Sequence, residues 1–308
     1  MDQEKKQGLI AILSANTIFG LNIPITKALM EEWMNPIGYT VTRMFFGAAI
    51  FWLIGSFFKD RTLDKKDYLS ILAGGLMGFI GTQFLFSQAL LYTTPVIFSL
   101  LMALTPVVVL LLSALILKES LPARKLIGVF ISISGAFLII LLSQTQTSSG
   151  RNNLLGIGFA LMCVLSYAGY LVITRKVSIK YQPVTIAKWM FLVSAIAAFP
   201  FSFQSLPEQV IYSESATLKA YLFLGFALIF STTFAFFLMP YSLKRLEAST
   251  VSIFMNLQPI VASIVAIIAG QDIFTWDKPL ATILVIIGVY LVTVSSKNKN
   301  IESTKVRL

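Results

Sequence analysis

Residues 102–119 read MALTPVVVLLLSALILKE, and residues 255–272 read MNLQPIVASIVAIIAGQD. The second stretch begins 153 positions after the first. Each sets a Met, then a Leu two residues on, then a Pro two further, then a mostly apolar run closed by an acid. The likeness extends without a gap from 88–141 onto 241–294, so that Ser99 meets Ser252, Glu119 meets Asp272, Lys125 meets Lys278 and Gly135 meets Gly288. The front of each half matches less closely. There Phe19-Gly20-Leu21-Asn22 falls over Tyr167-Ala168-Gly169-Tyr170, and Pro36 over Pro183 after a one-residue shift. The chain reads as one unit written twice.

Composition says what kind of unit it is. Of 308 residues, 56% are hydrophobic and 12% charged, against about 45–50% and 25% in soluble domains. Apolar runs fall at roughly 8–28, 36–58, 67–92, 94–117, 123–142, 154–174, 183–203, 218–243, 248–270 and 278–295. Runs of about 20 residues span a hydrocarbon layer of ~30 Å as helices. Lipid supplies no hydrogen bonds, and the alternation of barrel strands is absent, so all ten are predicted helices. The first run, 8–28, follows MDQEKKQ and is read as an uncleaved first span.

Five spans per unit is an odd number. The second unit must then enter the membrane from the opposite side, which predicts two inverted-topology five-helix repeats. The units are 1–142 and 154–296, joined by an external polar linker at 143–153 and followed by a cytoplasmic basic tail at 297–308. Glu119 then closes a helix at the cytoplasmic face and Asp272 one at the external face. Each is read either as a solvated helix end or as a tie to a basic neighbour such as Arg124 or Lys278.

The net charge of +10 is a topology signal and not a nucleic-acid signal. With the N-terminus inside, most Lys and Arg residues fall in cytoplasmic segments, including Lys5, Lys6, Lys59, Arg61, Lys118, Arg175 and Lys244. Lys27, Arg151, Lys219 and Lys278 are left outside. This positive-inside bias predicts a multi-pass protein of the cytoplasmic (inner) membrane with both termini in the cytoplasm. One cysteine, Cys163, and no histidine leave no disulfide within the chain and no imidazole chemistry. No metal, cofactor or nucleic-acid partner is expected; the partners are a small-molecule substrate and membrane lipid, with monomer and homodimer both open.

Several landmarks together resemble the drug/metabolite transporter superfamily, in particular its ten-helix EamA-type transporters. They are FGLN (19–22) with Lys27 closing the first span, Arg43 within TVTRMFFGAAIF (40–51), SQALLYTTPVIFSLLMALTPVVVLLLSALILKE (87–119), GVFISISGAFLII (128–140) and YSLKRLEASTVSIFMNLQP (241–259). Phe19 stands where a Trp commonly precedes the Gly, and Gln271-Asp272 replaces the usual Glu. The resemblance implies a secondary carrier, often an exporter of amino acids or related metabolites. It also implies that spans 1–4 and 6–9 surround a central cavity while spans 5 and 10 are peripheral.

Polar groups inside the apolar runs are the candidate cavity residues. No Asp or Glu lies near the middle of any run, which disfavours the embedded-Glu mechanism of the small multidrug carriers. Arg43, about seven residues into the second run, has no embedded acid to pair with, and a charge at mid-membrane costs at least ~2.5–3.5 kcal/mol. It is read as a cavity group or as a structural one that pairs or snorkels. Lys188, nearer a run's end, has the same two readings. Asn16, Asn22, Gln83, Ser99, Tyr167, Tyr170, Asn256 and Gln258 line the cavity or make interhelical hydrogen bonds. Pro106 and Pro259, equivalent in the two halves, are predicted kinks that expose backbone beside Ser99 and Ser252. Gly74, Gly75, Gly78 and Gly81 predict close helix packing, and the many Phe are assigned to lipid or core.

These features predict a gradient-driven, alternating-access transporter of small polar metabolites such as amino acids, working outward. A channel or facilitator and a drug-efflux carrier are the alternatives. A membrane-embedded enzyme is disfavoured, because the runs hold no paired carboxylates and no His. No phosphate-binding loop of the G-x-x-x-x-G-K-[ST] type occurs, so gradients must drive transport.

Overall fold

The computed structural model describes residues 3–57, 63–117, 153–246 and 248–272, with short pieces between 127 and 138 and between 275 and 291. Every regular element among the described residues is helical. Seven of these helices are long and apolar enough to cross a membrane. The predicted spans at 123–142 and 278–295 lie largely outside the described residues. Residues 143–152 of the linker, the basic tail, Glu119, Arg124 and Lys278 lie outside them.

In chain order the helices are α1 (Gln3–Glu32), α2 (Pro36–Gly55), α3 (Lys65–Tyr92), α4 (Pro95–Met102), α5 (Thr105–Leu117), α6 (Asn153–Lys180), α7 (Pro183–Ser205), α8 (Leu218–Arg245), α9 (Ala248–Ile253) and α10 (Leu257–Ile268). Their starts are written locally. The Asn35 side chain accepts the Gly38 amide at 2.8 Å ahead of Pro36. Thr94 accepts the Ile97 amide at 3.3 Å ahead of Pro95. A capping oxygen followed by proline satisfies one orphan donor and removes another.

The repeated Pro landmarks mark helix interruptions. α4 stops at Met102, and α5 begins at Thr105 with Pro106 in its first turn. In the second half, the 3₁₀ turn Phe254–Asn256 separates α9 from α10, whose first turn holds Pro259. Proline is tolerated there because a first-turn amide has no intrahelical partner. The bend therefore lies just before each proline.

Two further irregularities were not predicted. α3 widens into a π-helical segment at Gly75–Gly81, and α8 does so at Ala227–Ala235. Threonine hydroxyls seal both, reaching back five residues: Thr82 to the Met77 carbonyl at 2.8 Å, and Thr232 to the Ala227 carbonyl at 2.8 Å. Like the interruptions, the two segments occupy equivalent positions in the two halves.

Packing is reciprocal between the halves. α1 lies against α8 and α10, α6 lies against α3, α4 and α5, and α2 pairs with α7. The glycines of α3 permit this. A Cβ on Gly78 would sit 2.2 Å from the Tyr170 ring of α6, and one on Gly75 would sit 2.9 Å from the Met190 carbonyl of α7. Hydrogen bonds tie the connections at both ends of the bundle. At one end Gln209 accepts the Asn35 amide at 2.7 Å and the Trp33 carbonyl accepts the Ile211 amide at 3.1 Å. At the other, Lys180 pairs with Asp64 and Asp67, and the Tyr181 hydroxyl donates to Asp67 at 2.7 Å.

Candidate functional site

Arg43 is the centre of the site. It lies in the middle of α2 and is 1% exposed. Its guanidinium is held by neutral oxygens from three helices. Nε donates to Thr232 Oγ1 at 2.7 Å, Nη2 to Ser231 Oγ at 2.9 Å, and Nη1 to Gln83 Oε1 and, at 3.4 Å, to the Tyr39 hydroxyl. The Phe236 ring faces it at 5.9 Å. Among the described residues the ion pairs belong to Lys27 and Lys180, and none involves Arg43. The cation is thus solvated by the protein without being neutralised.

The π segments make this geometry possible. Ser231 and Thr232 lie inside the widened turns of α8, and Gln83 follows directly on those of α3. An extra residue in a turn rotates the following side chains relative to a regular helix, and such turns concentrate at functional sites. Tyr39 reaches Arg43 simply by helical spacing, four residues earlier on α2.

Beside this centre is a cavity of about 50 Å³. Its polar lining includes Asn22, Thr82, Gln83, Tyr167, Ser231 and Gln258, and its apolar lining includes Phe19, Ile23, Phe86, Phe98, Met102, Phe236 and Met255. That volume accommodates a few waters, whereas pockets for small metabolites run to roughly 300 Å³ or more. In this conformation the cavity is small. Phe19, Phe86, Phe98 and Phe236 form aromatic walls of the cavity. Phe236 also joins a buried ring cluster with Phe19, Phe79 and Phe191, at centroid distances of 5.7, 4.6 and 5.3 Å.

The other predicted positions divide. Gln258 lines the cavity and donates to Asn16 Oδ1 at 2.7 Å, so Asn16 joins the site through α10. Asn22 donates through its amide nitrogen to Thr26 at 3.1 Å and to Tyr39 at 3.5 Å. Tyr167 lines the cavity, whereas Tyr170 is buried beside Gly78 with its ring 5.8 Å from Phe79. Ser99 bonds inside its own helix, donating to the Val96 carbonyl at 2.9 Å. Asn256 sits in the 3₁₀ turn, between the cavity residues Met255 and Gln258 but off the lining itself. Pro106 is also off the lining, while Pro259 faces a separate apolar groove with Val96 and Ile264.

Lys188 is not a cavity group. Its stem lies over Gly55, and its ammonium sits 4.9 Å from the Trp52 ring and 6.0 Å from the Trp189 ring. An ammonium on an apolar helix is stabilised by such aromatic faces while its stem covers apolar surface. Lys27, expected at an external end, is buried. It donates to the Leu90 carbonyl at 2.9 Å at the end of α3 and pairs with Glu31 at 3.7 Å.

A bundle of long apolar helices with a buried polar centre and a small aromatic-walled cavity defines a polytopic membrane protein built to admit a solute. Comparison with known proteins makes this specific. The model of the EamA-like transporter family matches residues 6–141 and 154–294. The chain belongs to the EamA-like transporter family. An uncharacterized transporter of Archaeoglobus fulgidus is 25% identical over 90% of this chain and 95% of its own length. A second from the same organism is 31% identical over 73% of this chain and 75% of its own length. The uncharacterized inner membrane transporter YhbE of Escherichia coli K12 is 23% identical over 95% of this chain and 90% of its own. A solved crystal structure of 18% sequence identity shares the fold, with a TM-score of 0.63 over 96% of this chain and 98% of that one.

Proposed function

We propose that the protein is a gradient-driven, alternating-access carrier that moves small polar metabolites such as amino acids outward across the cytoplasmic membrane. The observation that carries this reading is Arg43, a fully buried cation held only by neutral groups beside a small cavity. Its uncompensated charge attracts an anionic group of the substrate. The neutral oxygens fix the guanidinium without cancelling that attraction. A cavity of only about 50 Å³ fits a carrier better than a continuously open pore.

The same reading includes ten spans arranged as two inverted-topology repeats with both termini in the cytoplasm. Support comes from the double family match, from the paired interruptions before Pro106 and Pro259, and from the paired π segments. The reciprocal packing of α1 and α6 supports it as well. Each half can then take the conformation of the other, which gives inward-open and outward-open states of similar energy.

Counterflow into liposomes tests the proposal. Vesicles loaded in turn with amino acids, organic acids, nucleosides and polyamines receive labelled tracer outside. Saturable exchange is expected for a class bearing a carboxylate or other anionic group. Arg43→Gln, with a melting temperature near that of the parent, is expected to lose at least tenfold in exchange, and Arg43→Lys to retain part of it. Parental exchange by folded Arg43→Gln would overturn the role of Arg43, and linear, non-saturable leak would overturn the carrier reading.

A further inference from the structure

A charged side chain crosses from α1 to α3 just beyond the cavity. Ile23 of α1 and Phe86 of α3 line the cavity. Lys27 and Leu90 each follow four residues later, one helical turn further along the same faces and about 6 Å nearer the helix ends. Lys27 donates to the Leu90 carbonyl at 2.9 Å, and neither residue is part of the lining. α1 and α3 thus run toward the same end of the molecule and are joined there. A second bond ties α1 to the end of α10, where Gln271 donates to the Pro24 carbonyl at 2.9 Å.

The first bond is built from a charge. Lys27 is 6% exposed, and a buried ammonium is costly unless it is paired. Its acceptor belongs to the last turn of α3, whose carbonyls have no intrahelical partner and form the negative end of the helix dipole. Another acceptor stands one turn outward: Glu31 lies 3.7 Å from the ammonium, with its side chain 52% exposed. The flexible stem of a lysine lets its ammonium pass from Leu90 to Glu31 and water without losing all its partners. Packing alone would be served by an apolar side chain, since a buried charged contact contributes little net stability. A bond that can be exchanged for solvent suits a contact that must open. The contact also reaches the site, because Thr26, next to Lys27, shares a 2.8 Å hydrogen bond with the Tyr39 hydroxyl, which accepts from Arg43 at 3.4 Å.

We infer that Lys27 is the latch of the cavity's outer mouth. Its bond to Leu90 holds α1 against α3, and its transfer to Glu31 and water lets the two helices part. The inference rests on the carrier reading and on the orientation proposed with it, in which α1 ends at the external face.

Cys163 supplies the probe. It lines the cavity, is fully buried and is the chain's single cysteine. A membrane-impermeant maleimide is applied to intact cells, which present the external face, and to inverted membrane vesicles, which present the cytoplasmic face. The rate of Cys163 labelling is followed at each. Lys27→Met keeps the length of the stem and removes the donor. Losing a charged hydrogen bond made only in the closed state is expected to raise the external rate at least about fivefold and to leave the cytoplasmic rate within about twofold of the parent. Lys27→Arg, which keeps a donor, stays near the parent on both faces. Glu31→Gln removes the outer anion and is expected to lower the external rate about twofold or more. If Lys27→Met melts too far below the parent to be read, Glu31→Gln, at an exposed position, decides alone, and an unchanged external rate there overturns the latch. An external rate within about twofold of the parent in folded Lys27→Met also overturns it. So does an equal rise on both faces, which reports loosening of the whole bundle. The labelling needs no substrate, so it fails separately from the carrier reading. Saturable counterflow with an unchanged labelling rate removes the latch alone, and a raised external rate without saturable counterflow removes the carrier alone.

Discussion

Gly78→Ala tests the packing that brings the site together. The added Cβ would lie 2.2 Å from both Cγ and Cδ2 of Tyr170 and 2.7 Å from its Cβ. A ring tip could swing away, but these atoms are the root of the side chain, so α6 itself must back off by about an ångström. Tyr170 cannot turn aside easily, because it is 1% exposed with its ring against Phe79 at 5.8 Å and Tyr167 at 5.6 Å. Overpacking costs about 1–3 kcal/mol, and contact at a stiff root belongs at the upper end. Replacing a helical glycine by alanine returns about 1 kcal/mol. The net is a loss of about 2 kcal/mol, or a fall in melting temperature of about 3 °C. Cys163 is the chain's single cysteine and is fully buried, so a thiol-reactive dye reports unfolding without further engineering. In a Tyr170→Ala background the same glycine substitution should cost little or even stabilise. If Gly78→Ala melts with the parent, or costs as much with Tyr170 truncated, the close approach of α3 and α6 is not as described.

The remaining predictions concern other contacts. Lys188→Gln should leave the KM for exchange within about twofold of the parent, because Lys188 lies between Trp52 and Trp189; a tenfold rise would return it to the cavity. Asn16→Ala and Gln258→Ala should each lower stability by about 1–2 kcal/mol, with the double variant costing less than the sum, since each single change leaves a buried amide unpaired. Additive melting shifts would show that the 2.7 Å bond between them contributes nothing. Asp64→Asn combined with Asp67→Asn should speed tryptic cleavage at Lys65 and Lys66 several-fold, by releasing the connection held by Lys180 and Tyr181. Salt at about 0.5 M should do the same to the parent, since exposed pairs are screened, and equal rates throughout would deny that tie.

Much of the scaffold was legible because lipid makes a blunt demand. Every apolar run of sufficient length must become a helix, so the first four runs and the sixth to ninth could be placed from hydropathy alone. The interruptions before Pro106 and Pro259 were legible through proline's missing amide. Arg43 stood out because a cation in an apolar run has few explanations. Of its partners, Gln83 was among the candidates, but Ser231 and Thr232 were not. Ser231 and Thr232 belong to STT (231–233), a polar triplet inside an apolar run, and that signal was available but unused. Its direction was hidden, because helical spacing assumes a regular turn and α8 is π-helical there. Lys188 was left with two readings for the converse reason. A charge in a run announces itself, whereas the two tryptophans that accommodate it are separated by more than a hundred residues of sequence and meet only in the fold.

The contacts also show how the two halves pack on each other. α1 of the first half packs on α8 and α10 of the second, and α6 of the second packs on α3, α4 and α5 of the first. Contacts also join α4 to α10, α6 to α8 and α1 to α3, so the two halves interleave. Arg43 stands on α2, with one hand on Gln83 of α3 and the other on Ser231 and Thr232 of α8. On the carrier reading proposed above, a motion that parts α3 from α8 around the cavity must break one of those sets of bonds and leave a buried cation short of acceptors. Such a group cannot stay unsolvated, so opening and re-solvation of Arg43 are one event. Water or a ligand anion must take the vacated positions as the protein oxygens leave. On that reading the residue proposed to attract the substrate is also the one whose bonds tie α3 to α8.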